Sequence, residues 1–235
     1  MNTVDLVTKA ATDFYNVLQQ DKNGRYKSWE HCYSTFYEAR KETNPDVDYL
    51  SLMLAFYLAS WGMYRGSSFL LQKDYKIHVP IVKELLKPKY DCLVDIKCVD
   101  FRDQKIQELV FHDLQLFFKD YYKDVRSSVA EKETKRGVSD TLITKILMGT
   151  LACVPAYDRY FISGIKETKV STGNYNINSI LRLADFYETN QEKLEATRRT
   201  LKVGLHDYPQ MKMIDMGFWQ IGFELDLNRG LKKAH

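Results

Sequence analysis

The stretch GVSDTLITKILMGTLACVPAYDRYFISGI, at residues 137–165, decides how the rest of the chain is arranged. Apolar residues recur in its first half at three- and four-residue spacing, which is typical of one face of a helix: Val138, Leu142, Ile143, Ile146, Leu147 and Leu151. Ser139 is a suitable N-cap, because its hydroxyl can accept a hydrogen bond from a first-turn amide. Pro155 cannot continue that helix but suits the first position of another. The stretch therefore predicts a helix, a tight break and a second helix that carries Asp158 and Arg159.

Further helical patterns lie on both sides of this stretch. They cover about 2–20, 28–40, 45–63, 67–87, 103–123, 176–187, 190–204 and 211–227. The segment 45–63 is apolar nearly all round, which predicts a helix surrounded by other helices and opened by Pro45. Its apolar run is too short and too interrupted for a membrane span. An alternating pattern at 90–98 resembles a strand, but no second strand is evident to pair with it.

These patterns predict an all-α fold, a compact multi-helix globular bundle around a central apolar helix. At 235 residues, of which 45% are hydrophobic, the chain can bury a sizeable core. No long linker or repeat divides it, so we expect a single domain over 1–235, with two-lobed packing and a lobe boundary near 124–137 as the alternative.

Composition excludes some classes of function and favours others only weakly. A net charge of +3 is too small to indicate a polyanion partner, so nucleic-acid binding would require local clustering of basic residues. The first twenty residues lack the pattern of a secretory signal, and we expect a cytoplasmic protein. Four cysteines without a C-x-x-C pair predict reduced, mostly buried thiols, and neither a metal site nor a cofactor is expected.

Two short motifs carry a resemblance to a known family. G-V-S-D-T at 137–141 is followed by V-P-A-Y-D-R at 154–159. Over 137–159 alone, the chain resembles the helix-hairpin-helix DNA glycosylase superfamily, in which a G-V-G turn leads into a helix and then to a V-P-x-D segment. It departs from that pattern at Ser139, where the second hairpin glycine would stand, and at Thr141, near the place of the lysine nucleophile of bifunctional members.

The resemblance implies that Asp158 is a catalytic carboxylate, placed to stabilise positive charge on a sugar during hydrolysis of an N-glycosidic bond. It also implies a double-stranded DNA partner. Tyr157 would then contribute to a pocket for the extruded base, while Lys145 and Arg159 would contact phosphates. The alternative interpretation gives Asp158 only a place in the first turn of a helix, with Arg159 as its surface partner.

Three hypotheses about function follow. The first is a non-catalytic interaction or assembly protein that binds a protein partner or a second copy of itself, and it predicts an exposed apolar patch. The second is a glycosylase-like or other DNA-associated protein, which predicts a basic cleft centred on Asp158. The third is an enzyme of another helical class, which predicts a polar pocket elsewhere. Arg65 has two interpretations as well, a helix-terminal cation or a residue that faces a cleft.

Overall fold

The computed structural model describes residues 2–130 and 137–233, and it confirms the predicted all-α class. Its α-helices are α1 Thr3–Gln20, α2 Ser28–Ala39, α3 Val47–Ser60, α4 Val79–Leu85, α5 Gln104–Gln107, α6 Gln115–Ala130, α7 Asp140–Thr150, α8 Arg159–Glu167, α9 Ile177–Thr189, α10 Gln191–Arg198 and α11 Gln210–Lys233. A π-helical turn spans Glu108–Leu114, and short 3-10 turns occupy Arg25–Lys27, Phe69–Gln72, Tyr75–His78, Pro88–Leu93 and Cys98–Arg102. Two-residue strands, β1 Lys202–Val203 and β2 His206–Asp207, form an antiparallel pair.

Helix α7 is the central apolar helix of the bundle. All of its residues from Leu142 to Thr150 are buried, so other elements surround it on every side. Ser139 caps it as predicted, since its Oγ accepts a hydrogen bond from the backbone N–H of Leu142 at 3.3 Å. The apolar stretch that dominates the sequence is therefore also the one that the core is built around.

Helix α3 differs from the prediction because it is not surrounded by other helices. It begins after Asp46, whose carboxylate accepts a hydrogen bond from the Tyr49 N–H at 3.0 Å, rather than at Pro45. Leu54 is fully buried on its inner side, but Leu52 and Phe56 are 46% and 53% exposed. The pattern of apolar residues reports how apolar each face of a helix is, and it cannot report whether a neighbour covers that face.

Helix α8 begins later than predicted. Pro155 lies in the extended connection after α7, and Asp158 is the N-cap of α8 with β-region dihedral angles. The backbone N–H of Ala156 donates to Asp215 Oδ1 of α11 at 2.9 Å, which ties this extended connection to α11. Asp158, rather than Pro155, therefore marks the start of α8, and a contact 59 residues away along the chain holds the segment before it.

The helix predicted over 103–123 forms and continues to Ala130 as α5, the π-helical turn and α6. The wider π turn allows the consecutive residues Leu109, Val110 and Phe111 all to be buried, which regular α-helical spacing does not favour. The segment predicted as one helix over 67–87 consists of two 3-10 turns followed by the short helix α4.

Helices α8 and α11 cross with their backbones in contact. A Cβ atom at Gly164 would overlap the carbonyl group of Phe218, and one at Gly222 would overlap the carbonyl group of Tyr160. Only glycine allows this separation, so the crossing depends on one glycine from each helix. It places the start of α8, and with it Asp158, directly against α11.

One cluster of buried apolar side chains extends from Val4 in α1 to Ile221 in α11. The single domain and the boundary near 124–137 stay predictions, and residues 131–136 of that boundary lie outside the described residues.

Across 2–130 and 137–233, each helix is too short or too polar to cross a bilayer.

Candidate functional site

Asp158 is fully engaged by hydrogen bonds. Its Oδ1 accepts from the backbone N–H groups of Tyr160 and Phe161 at 3.0 and 3.1 Å. Its Oδ2 accepts from Lys145 Nζ at 3.0 Å and from Trp219 Nε1 at 3.2 Å. These four bonds fill the acceptor capacity of a carboxylate, and the side chain is only 14% exposed.

Lys145 projects from the central helix α7 and is the charged partner of Asp158. Its side chain is 3% exposed, and its ammonium lies 5.0 Å from the centroid of the Trp61 ring. The same ammonium also approaches the Trp61 carbonyl oxygen at 3.4 Å. Because the ammonium is almost completely removed from water, the ion pair, the ring and this carbonyl replace its hydration.

A second buried ion pair, within α11, also lies close to the Trp61 ring. Lys212 Nζ is 3.0 Å from Asp215 Oδ2, and the two side chains are 4% and 6% exposed. The Lys212 ammonium lies 5.5 Å from the centroid of Trp61 and 4.7 Å from that of Trp29. We call Lys145, Asp158, Lys212, Asp215 and Trp61 the buried charge cluster.

The buried charge cluster joins parts of the chain that are distant in sequence. It connects the end of α3 at Trp61 with α7, with the start of α8 and with α11. Burying two ion pairs carries a large desolvation penalty, and removing one partner of such a pair costs about 3–5 kcal/mol because a charge is left without compensation. The cluster therefore fixes how these four elements meet. The Asp158 carboxylate, with four donors from the protein, has no acceptor site left for a ligand.

Tyr157 and Arg159, the neighbours of Asp158, point to different surroundings. Tyr157 is 1% exposed, and its hydroxyl shares a hydrogen bond of 2.7 Å with Ser179 Oγ, so its ring belongs to the core. Arg159 is 69% exposed and pairs with Asp226 Oδ2 at 3.2 Å, rather than with Asp158 as the alternative interpretation expected. Contacts within the fold already occupy three of the residues that the glycosylase resemblance singles out: Tyr157, Asp158 and Lys145.

The catalytic role of Asp158 implied by the glycosylase resemblance stays a prediction. It requires a carboxylate that can face a sugar, whereas each oxygen of Asp158 here has two donors from the protein. A substrate would have to displace Lys145 or Trp219 to reach it. The geometry supports the other interpretation, a structural carboxylate at a helix start, although as an N-cap and with Lys145 as its partner.

Arg65 is not a member of this cluster, and it lines an open pocket of about 300 Å³. Its guanidinium makes no hydrogen bond or ion pair with a described residue, and the side chain is exposed. The pocket lies between the loop after α3, the end of α6 and the start of α7. Of the four binding residues considered from the sequence, Arg65 is the one that borders a pocket with a free cationic group.

The outer face of α3 forms an exposed apolar row. Tyr49, Leu52 and Phe56 are 50%, 46% and 53% exposed, and Ala59 is exposed too. We call these four residues the α3 stripe. Their spacing of three, four and three residues places them on one side of the helix. Other large apolar side chains at the described surface, such as Val17 and Leu116, do not form a row of this length.

Several buried polar groups were missed by reading the sequence. Lys212 and Asp215 stand three residues apart in the otherwise apolar run MKMIDMGFW, and that spacing was the signal that could have indicated a buried pair.

His78 bonds to Tyr64 through Nε2 at 2.7 Å and to Tyr122 through Nδ1 at 2.5 Å. Burial lowers the pKa of His78 to about 3, so the imidazole is neutral.

The thiols match the expectation of reduced cysteines. Cys32, Cys98 and Cys153 are buried, Cys92 is exposed, and none of the four is in a disulfide. Burial raises the pKa of the three buried thiols, which keeps them protonated and unreactive. Within 2–130 and 137–233, no group of three or more His, Cys, Asp or Glu side chains is arranged to hold a metal ion.

Comparison of the chain with family models, with curated proteins and with solved structures finds no match.

Proposed function

We propose that this protein is an assembly protein that associates with a second copy of itself through the α3 stripe. The observation that carries the proposal is the exposure of Tyr49, Leu52 and Phe56 on one face of α3, each between 46% and 53%. A row of large apolar side chains exposed to water indicates a surface that another molecule covers.

The spacing of the α3 stripe suits pairing with an identical helix. Residues 49, 52, 56 and 59 repeat at the three- and four-residue intervals of a helix–helix seam. In an antiparallel pair related by a two-fold axis near residue 54, Leu52 of one copy meets Phe56 of the other, and Tyr49 meets Ala59. Such a two-fold interface uses the same patch on both subunits, as closed dimers do.

Charge favours the antiparallel direction. The exposed acids Glu42, Asp46 and Asp48 surround the amino-terminal end of α3. A helix of 14 residues is about 21 Å long, so antiparallel pairing separates the two acidic ends by more than two Debye lengths of about 8 Å at physiological salt. Parallel pairing would place them side by side, where like charges repel.

The size of the α3 stripe sets the strength of the association. Three half-exposed large side chains provide an apolar patch on the order of a few hundred Å² per copy, which is below the roughly 800 Å² per partner of a standard stable interface. We therefore expect a reversible dimer with a dissociation constant in the micromolar range rather than a permanent one.

Sedimentation velocity over a series of protein concentrations tests this proposal. We expect the wild type to pass from monomer to dimer as concentration rises, and Phe56→Glu to remain monomeric because it introduces a charge at the centre of the seam. Leu116→Glu is the matched control, because Leu116 on α6 is 51% exposed but lies outside the α3 stripe. A wild type that stays monomeric at the highest concentration, or a dimer that survives Phe56→Glu, would exclude the proposal.

A further inference from the structure

The pocket at Arg65 has a composition that suits an anion. Besides Arg65, the described residues that line it include Gly62, Ser67, Arg126, Gly137, Val138 and Ser139. An adjoining depression of about 280 Å³ shares Ser67, Ser68, Phe69 and Arg126 with it and adds Gly66, Gln72 and Val129. Two arginines and several hydroxyl or amide groups thus face this region, and no carboxylate is among its described lining residues.

The two arginines differ in the contacts that their guanidinium groups make. Arg126 is anchored, since its Nη1 donates to the Gly137 carbonyl oxygen at 3.1 Å and the side chain makes a further contact. Arg65 makes no hydrogen bond or ion pair with the described residues, although its guanidinium is held close to the backbone at Gly62. A Cβ at Gly62 would come within 3.2 Å of Arg65 Nε, so the missing side chain leaves the room that the guanidinium uses.

Several residues that line this region also have backbone N–H groups without a partner among the described residues. The N–H groups of Gly66, Ser67, Val138 and Ser139 donate to no described acceptor. Val138 and Ser139 precede α7, whose dipole is positive at this end, and α7 is 11 residues long. Ser67 contributes an exposed hydroxyl with no partner among the described residues. Guanidinium, hydroxyl and free amides together are the donor set that proteins use for phosphate.

We propose that the Arg65 pocket binds the phosphate group of a small phosphorylated ligand. The Arg65 guanidinium donates two parallel hydrogen bonds to the phosphate oxygens, and Arg126 adds a second positive charge that neighbouring contacts hold in place. A volume of about 300 Å³ is at the lower end for small-molecule sites, so it holds the phosphate and a compact group attached to it. This site shares no residue with the α3 stripe, and its proposed ligand does not require self-association.

Inorganic phosphate is the probe that tests this site. Amide chemical shifts of isotope-labelled protein are followed during titration with phosphate, with sodium chloride at matched ionic strength as the reference and acetate as a carboxylate. We expect saturable shifts at the amides of Gly66 and Gly137 with phosphate, and weaker ones with acetate. Arg65→Gln should weaken phosphate binding by about tenfold or more, because a charge-assisted bidentate contact is lost.

Arg182→Gln is the matched control, because Arg182 on α9 is also exposed and lies outside the pocket. It should bind phosphate as the wild type does. The proposal is overturned if phosphate produces no more than the shifts of sodium chloride, if Arg65→Gln binds as tightly as the wild type, or if both arginine variants weaken binding equally. Acetate binding as tight as phosphate binding would overturn the assignment of a phosphate ligand.

Discussion

A carboxylate can accept about four hydrogen bonds, and Asp158 receives four, two from the start of α8 and two from Lys145 and Trp219. The two contacts with backbone N–H groups are of the type expected from the sequence, because a carboxylate near the start of a helix interacts favourably with the unpaired amides and the dipole there. The sequence could not predict the others, since Lys145 and Trp219 are brought to Asp158 by packing and not by spacing along the chain. The burial of Lys212 and Asp215 could not be predicted either, because it depends on other elements covering this part of α11.

Asp158→Asn therefore has a larger expected effect than the loss of a surface charge at a helix start. The amide can still cap α8, but the buried Lys145 ammonium loses its compensating charge and the new NH₂ group cannot accept a hydrogen bond. We expect the free energy of unfolding to fall by about 3 kcal/mol in a denaturant titration. Asp140→Asn is the control, because Asp140 is 46% exposed and pairs with Lys119 at the surface, and it should cost less than about 1 kcal/mol.

Equal, small losses in both variants would show that Asp158 does not hold the buried ammonium.

The glycosylase hypothesis is tested with wild type and Asp158→Asn, using duplexes that carry an abasic-site analogue and are titrated at two salt concentrations. That hypothesis requires salt-dependent binding by the wild type and base release that disappears in Asp158→Asn. A wild type that binds no duplex at low salt would remove it.

The buried, neutral imidazole of His78 should make the folded protein less stable in acid. Its folded pKa is lowered to about 3 by burial between Tyr64 and Tyr122, whereas an unfolded histidine has a pKa of about 6.5. Between these values the unfolded chain binds one more proton, so the free energy of unfolding decreases as pH falls, by up to about 1.4 kcal/mol per pH unit from this group. Above about pH 6.5 the contribution is constant.

The measurement is urea unfolding of wild type and His78→Gln at a series of pH values between about 4 and 7. His78→Gln should be less stable at neutral pH, because the hydroxyls of Tyr64 and Tyr122 lose the imidazole that bonds to both, but its stability should depend less steeply on pH. His112→Gln, at an exposed position, should keep the wild-type slope. Parallel pH profiles for wild type and His78→Gln would contradict the assignment.

Among the secondary-structure elements, the pair formed by α8 and α11 shows most clearly what packing adds to pattern. Both helices were predicted, although α8 begins at Arg159 rather than at Pro155 and α11 extends to Lys233. Their backbone contact through Gly164 and Gly222 was not predicted, because a glycine within a helix gives no indication of what approaches it. The π-helical turn was missed for a related reason, since its sequence reads as an ordinary amphipathic helix.

Gly222→Ala tests this crossing. The added methyl group would overlap the backbone carbonyl of Tyr160, which cannot rotate away as a side chain could, so the helices must separate. We expect a loss of about 3 kcal/mol in the free energy of unfolding. Gly230→Ala in the same helix has open space and should instead stabilise by roughly 0.5–1 kcal/mol through higher helix propensity. Similar effects of the two changes in thermal melting would show that the backbones are not in contact.

For the whole molecule, the fold class could be predicted from the sequence, but the identity of the central helix and the exposed surfaces could not. The apolar runs of α3 and α7 look alike, yet Leu142–Thr150 of α7 is enclosed while Leu52 and Phe56 of α3 face water. The Arg65 pocket combines residues near 62–70, 126 and 137–142, which no local motif connects. The α3 stripe is the feature that the fold leaves uncovered, and self-association is what we propose covers it.

Site-directed disulfide cross-linking tests the α3 pairing most directly. Tyr49→Cys and Ala59→Cys are made separately in a Cys92→Ser background, which removes the exposed native thiol. Residues 49 and 59 of one helix are about 15 Å apart, too far for a disulfide within one chain. Antiparallel pairing predicts that an oxidised mixture of the two variants forms a covalent dimer efficiently and that either variant alone does not. A mixture that stays monomeric, or cross-linking as efficient within each variant alone, would contradict the proposed assembly.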